Sequence, residues 1–330
     1  INIMKKKILI TGGCGFIGSC LFIFLKKNFD VYILDKENKR NWQAISKKNF
    51  YKCNILNFKK TERIIHNICP DVIIHLAGLS TVNEKFKKKD YSINNIDVMK
   101  NILKIMEENQ IKNIIYSSTA SVYKNKNIQI NEYSKLGPIS KYGKSKLAAE
   151  KLIKKKKNLN YLIFRFFNVA SAITNPPTGE FHNPETHLIP SLIYNQNKNR
   201  YSNIYGKDYK TKDGTCMRDY IHVKDICRAI YSGIQRIEKK KLKTVVNLGN
   251  GKGYTNLDII KAINKITKKK VKFRFSKKRK GDNPKLVCDI KKSKKILGWT
   301  PKFSTLKKII ENEIEWSFFL NKRKYKRKFI

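Results

Sequence analysis

Tyr142 and Lys146 stand four residues apart in the stretch SKYGKSK, Ser140 to Lys146. On a helix that spacing places both side chains on one face, a turn apart. A phenol with a reference pKa of about 10 is a poor base near neutrality, yet a neighbouring ammonium and a positively charged ring both favour tyrosinate. Ser117, Ser118 and Thr119 follow the apolar stretch NIIY; a hydroxyl there holds a substrate oxygen while Tyr142 moves its proton. A second constellation lies upstream, where ITGGCGFIGS spaces Gly12, Gly15 and Gly18 three apart behind an apolar run. Glycines let the chain turn tightly and let a pyrophosphate approach a helix N-terminus, whose free N–H groups favour anions. Asp35 ends the next apolar run, where a carboxylate accepts from an adenosine ribose and repels a 2′-phosphate. NAD, rather than NADP, is the expected cofactor.

The lysine of such a pair must be told from its background, because 330 residues carry 72 Lys+Arg against 25 Asp+Glu, a formal net charge of +47. A field of that size attracts polyanions. The accompanying excess of Asn, Ile, Phe and Tyr, all with AT-rich codons, reads instead as compositional bias, and the runs at 154–157 and 277–280 belong to it. Residues 322–328, KRKYKRK, are the better candidate for a basic extension. An RNA- or polyanion-binding protein would not need the Tyr–Lys pair, so no specific nucleic-acid or membrane partner is expected. The seven cysteines show no CxxC pair and no metal-ligand spacing; reduced structural thiols and no metal are expected. No run reaches the length of a membrane span and no signal-peptide pattern precedes ILITGG, so a cytoplasmic protein is expected.

The elements that must position these groups follow from hydrophobic patterning. Apolar runs at 7–11, 31–35, 72–76, 113–118 and 161–166 alternate with amphipathic stretches at 16–28, 58–68, 91–109 and 142–156. Continuous apolar strands separated by helices indicate a parallel sheet covered on both faces, the Rossmann-like doubly wound α/β pattern. Prolines punctuate the chain beyond Ala172. The expected organisation is therefore an NAD-binding domain over 1–171, rejoined by a strand near 245–249, and a smaller mixed α/β domain over 172–330. A terminal helix is expected over 304–320, with Trp316, Phe318 and Phe319 buried.

Together, TGGCGFIG, HLAG (75–78), SSTASVY, YGKSK and FRFFNVA resemble, in order and spacing, the extended short-chain dehydrogenase/reductase family. Within it, residues 206–225 and 183–190 look most like the branch that epimerises UDP-hexoses at C4. The resemblance implies interconversion of UDP-galactose and UDP-glucose through a transient 4-keto sugar, by a homodimer with tightly bound NAD. It assigns Thr119, Tyr142 and Lys146 to catalysis. It assigns Gly12, Gly15, Phe16, Ile17, Gly18, Asp35, Asn54, Ile55, Leu76, Ala77, Gly78, Asn94, Tyr142, Lys146 and Phe167 to the cofactor. Thr119, Asn168, His187, Leu188, Tyr205, Arg218, Arg279, Asp282 and Leu286 fall to the UDP-sugar, with Leu286 as a wall of the sugar pocket. Asn54 departs from the family's usual aspartate, and Lys124 from its glycine. Related 4,6-dehydratases need an acid and a base where this chain has Ala120 and Ser121. Epimerisation of N-acetyl, uronate or pentose sugars is the alternative within the family.

Overall fold

The computed structural model describes residues 5–36, 47–80, 86–124, 129–181, 185–279 and 283–326. The first six strands are β1 (Lys7–Thr11), β2 (Asp30–Asp35), β3 (Phe50–Lys52), β4 (Val72–His75), β5 (Asn113–Thr119) and β6 (Asn160–Phe166). Then come β7 (Asn168–Ala170), β8 (Ile173–Thr174), β9 (Pro177–Thr178), β10 (Ser202–Tyr205), β11 (Met217–His222) and β12 (Lys243–Leu248). The last three are β13 (Gly253–Thr255), β14 (Phe273–Ser276) and β15 (Lys285–Leu286).

Seven of these strands form one parallel sheet in the order β12-β6-β5-β4-β1-β2-β3. The doubly wound expectation holds. Alternation along β1 sends Ile8 and Ile10 into one apolar cluster and Leu9 into the other, so both faces of the sheet are covered. On the first face Leu21 and Leu25 of the Phe16–Leu25 helix share a core with Ile226, Ile230 and Ile234 of the Val223–Ile237 helix. On the second, Ile102 and Met106 of the Val98–Glu108 helix meet Ala149 and Ile153 of the Lys141–Lys154 helix. The chain thus returns to the sheet with a helix as well as with β12. The strand order reverses between β1 and β4, where ligands enter such sheets at the carboxyl ends of the strands.

The remaining strands build a smaller layer around β11, which pairs with β7, β13 and β15. β10 pairs with β14, and Ile189, Leu192, Ile260, Ile263, Ile309 and Ile310 form the core beneath. Several boundaries differ from expectation. The expected 91–109 helix begins at Lys88, winds as a π-helix over Ser92–Asp97 and resumes as α over Val98–Glu108. β3 has no apolar run to announce it, and Leu76 lies beyond its strand. In the terminal helix, Leu306–Lys326, Trp316 is buried but Phe318 is 58% exposed. Trp316 stacks on Phe319 at 5.4 Å and donates to the Glu180 carbonyl, leaving Phe318 on the outer side of that turn.

Candidate active site

Ser140 starts the helix that carries the Tyr–Lys pair. Its hydroxyl accepts from the Gly143 N–H at 3.0 Å, so the chain turns helical just ahead of Tyr142. Gly143 is needed for closeness: a Cβ there would lie 2.5 Å from the Ser121 carbonyl oxygen, in the turn that follows Thr119. Thr119, buried at the end of β5, stands near enough to the Tyr142 phenol for its hydroxyl to favour the anion. Burial nevertheless dominates, raising the phenol to about 12 despite that neighbour. The expected drift toward tyrosinate is therefore corrected for the protein alone. Desolvation penalises the anion more than its surroundings stabilise it.

Lys146 is the only buried lysine among the described residues, 4% exposed. Its ammonium donates to the Ser117 carbonyl at 2.9 Å and lies 4.9 Å from the centre of the Tyr116 ring. Burial lowers its pKa to about 8, against the opposing charge of Glu150. His75, stacked on Tyr116 and hydrogen-bonded to Thr11 at 2.7 Å, is pushed down to about 3 by burial and by Lys146. A neutral imidazole therefore underlies the cation.

Across the sheet's switch point the glycine loop is held by backbone contact. Gly12 has φ 73°, and a Cβ on it would stand 2.7 Å from the Ala77 nitrogen. A Cβ on Gly18 would meet the Gly12 oxygen at 2.4 Å. Gly15 precedes the Phe16–Leu25 helix with no side-chain cap, leaving the first N–H groups directed at the loop's open side. Asp35 accepts from the Cys14 N–H at 2.9 Å, which ties the end of β2 to the loop. This cradle, closed to any side chain yet ringed by N–H groups and one carboxylate, fits a dinucleotide's pyrophosphate and ribose. Phe16 and Ile17 stand half-buried behind it, Leu76 and Ala77 line its β4 side, and Gly78 packs against Asn95. Asn94 and Asn95 lie on the π-helix; Asn94 donates to Asp90, and Asn95 joins Leu79 to Ser145 of the Lys141–Lys154 helix. Ile55 is buried, whereas exposed Asn54 turns its amide oxygen to the Leu56 N–H.

The residues expected to face a sugar are assembled by strand register. Thr119 pairs with Phe166, so Phe167 and Asn168 leave the sheet beside the end of β5 that carries the Thr119 hydroxyl. Asn168 pairs with Tyr220 of β11, and Arg218 of the same strand pairs with Leu286 of β15. Leu286, 8% exposed, shares an apolar cluster with Phe167 and with Ala120, the residue after Thr119. Arg218 donates to the carbonyls of Met217 and Asn283. The Arg279 guanidinium lies 3.9 Å over Tyr205, so one face of that ring is covered by a cation. His187 precedes the Leu188–Asn197 helix, with Nδ1 2.6 Å from Glu180 and 3.8 Å from Glu185. Its partial burial works against the imidazolium, and the two carboxylates outweigh that, raising its pKa. Asp282 lies outside the described residues.

Sequence reasoning missed Glu185, two residues ahead of His187, and Glu180 and buried Glu313, which only the fold brings to it. It also missed Glu150, although its position four residues after Lys146 was a signal.

Residues 8–249 match the NAD dependent epimerase/dehydratase family. The chain belongs to that family. A UDP-glucose 4-epimerase of Halalkalibacterium halodurans is 36% identical over 317 residues, covering 94% of this chain and 95% of its own. Among solved structures, UDP-glucose 4-epimerase from Brucella ovis in complex with NAD superposes with a TM-score of 0.89 at 30% identity, covering 94% of this chain and 97% of that one. The Bifidobacterium longum enzyme in complex with NAD+ and UDP gives 0.87 at 29%, over 95% and 98%. The UDP-Glc/GlcNAc 4-epimerase from Campylobacter jejuni gives 0.80 at 30%, over 95% and 99%.

Proposed function

We propose that this chain interconverts UDP-galactose and UDP-glucose, using NAD. The observation that carries the reading is the placement of Tyr142, Thr119 and buried Lys146 beside a glycine cradle inside a family of NAD dependent epimerases. Incubation with UDP-galactose and detection of UDP-glucose tests it.

The phenol of Tyr142 is neutral in the protein alone. Lys146 sits one turn away, and with a cationic nicotinamide in place both charges favour loss of the phenolic proton. Tyr142 then takes the proton of the sugar 4-hydroxyl, which the Thr119 hydroxyl orients. Bound NAD supplies a reversible acceptor for the C4 hydride. The chain keeps the resulting 4-keto sugar bound while it turns about its link to the diphosphate, and Tyr142 returns the proton after the opposite face has been reduced. Such a cycle needs a firm grip on UDP and a loose one on the sugar. Arg218 and Arg279 are suited to the diphosphate by charge-assisted hydrogen bonds, with Tyr205, His187, Leu188 and Asn168 completing the nucleotide side. Leu286 and Phe167 give the sugar an apolar wall without a charged hold.

In this reading residues 1–171, with the strand near 245–249, hold the cofactor, and 172–330 mainly hold the UDP-sugar. We extend it to a homodimer in the cytoplasm. The resemblance to the epimerase branch supports the first, and the seven free thiols suit a reducing compartment. Among the described residues no helix is long and apolar enough to cross a membrane. A second activity on N-acetyl sugars is favoured by one observation: the wall residue is leucine rather than a bulky aromatic ring.

A further inference from the structure

Glu150 lies on the catalytic helix one turn beyond Lys146, fully buried. Its Oε1 accepts from the Ser118 hydroxyl at 2.5 Å and from Arg165 Nε at 2.9 Å, and its Oε2 from Arg165 Nη2 at 2.7 Å. Arg165, 1% exposed, also donates to the Tyr123 hydroxyl at 2.8 Å, which donates to Asn247 Oδ1 at 2.6 Å. One carboxylate therefore joins the helix to β5 and β6, and through Tyr123 to β12. These are the strands whose ends carry Ser117, Thr119 and Phe167. A buried ion pair of this kind is weak support for stability, because desolvating two charges offsets their attraction. Its position suggests a different use.

We propose that Glu150 is a positioning residue for the epimerase reaction: clamped by Ser118 and Arg165, it locks the helix turn bearing Lys146 against Ser117 and supplies the counter-charge for the buried ammonium. The inference rests on the epimerase reading. Every neighbour of Lys146 makes that counter-charge necessary. On its own helix stand neutral Tyr142 and Glu150; from β5 come the Tyr116 ring and the Ser117 carbonyl; from β4 comes neutral His75. Glu150 is thus the anion in this set, and it opposes the lowering of Lys146 by burial. Around Glu150 itself stand Arg165 and, at 3.9 Å on the rim, Lys154. Burial works to lower Arg165, but its hydrogen bonds and charge contact with Glu150 outweigh that and hold it protonated. Arg165 therefore fixes the carboxylate without losing its own proton. With the carboxylate gone, Lys146 releases its proton at lower pH and its turn is no longer pinned to β5.

The test is the pH profile of UDP-galactose turnover by full-length Glu150→Gln, with bound NAD per chain measured in parallel. The expected result is a KM near that of the wild type, kcat lower by on the order of a hundredfold as for a displaced catalytic group, and an alkaline limb moved to lower pH. Loss of bound NAD in proportion, through a looser Lys146, also supports the proposal. Should Glu150→Gln not fold, the double variant Glu150→Gln/Arg165→Met, which leaves no buried guanidinium stripped of its carboxylate, carries the same comparison. A profile in either folded variant that coincides with the wild type after scaling overturns the proposal. Wild-type enzyme that fails to turn over UDP-galactose overturns the epimerase reading instead.

Discussion

The Lys146 ammonium donates to the Ser117 main-chain oxygen at 2.9 Å from a site that is 4% exposed. Holding a cation there costs folding free energy. Its pKa is about 8 in the fold against an ordinary value of 10.5, so between those values the unfolded chain binds more protons and stability rises with pH. Lys146→Met is therefore expected to be more stable than the wild type at about pH 7, by on the order of 1–3 kcal/mol, and to lose that advantage by about pH 9.5. Denaturant unfolding at the two pH values measures the difference. A variant less stable at both would show that the hydrogen bond and ring contact outweigh desolvation.

Tyr142→Phe keeps the ring and removes the proton carrier. Turnover is expected to fall by roughly 10² to 10⁴-fold, the usual contribution of a general acid/base group, with UDP binding retained. Loss of less than about threefold would take Tyr142 out of the mechanism. Lys155, Lys156 and Lys157, changed singly, should leave turnover near wild type. Calorimetric UDP titration alongside initial rates separates the two effects.

Asp35 has two jobs in the structure, since it also receives the Cys14 N–H of the glycine loop. The protein should hold NAD in clear preference to NADP. Asp35→Ala should narrow that preference, by weakening NAD and removing the charge that repels a 2′-phosphate. Competition binding with the two dinucleotides decides it. Equal affinity in the wild type would refute the argument from this carboxylate.

Leu286 packs beside Phe167 and Ala120 at the sugar end. UDP-N-acetyl sugars should be turned over more slowly than UDP-glucose and UDP-galactose, by roughly 10 to 200-fold for a poor apolar fit. Leu286→Tyr should abolish the N-acetyl activity and spare the glucose reaction. Product ratios from paired substrates test this; an N-acetyl activity untouched by the change would move the limiting wall elsewhere.

The parts of this molecule legible in the sequence are those that local spacing encodes. Ile8, Leu9 and Ile10 announce a strand buried on both faces, and Gly12, Gly15 and Gly18 announce the turn behind it. Tyr142 and Lys146 show themselves by helical spacing read together with the glycine loop and the hydroxyls that follow NIIY. Glu150 and Arg165 are harder to read, because a glutamate among lysines looks solvated even at helical spacing from Lys146, and an arginine closing YLIFRF looks like a strand end. Only the pairing of β5 with β6 brings them together. The effect of burial on Tyr142 was equally hidden: the sequence supplies its neighbours but not the depth at which the phenol sits. β3 escaped because FYK is too short to carry a period.

Every role proposed for these residues depends on inversion at C4. The most direct measurement is incubation of the purified protein, with its bound NAD, with UDP-galactose, followed by separation of the nucleotide sugars over time. UDP-glucose should accumulate to an equilibrium mixture that is also reached from UDP-glucose, with no net consumption of NAD, and with Tyr142→Phe inert on the same timescale. A wild-type protein that binds NAD and UDP yet leaves UDP-galactose unchanged, or converts it to a product of net oxidation or dehydration, would contradict it.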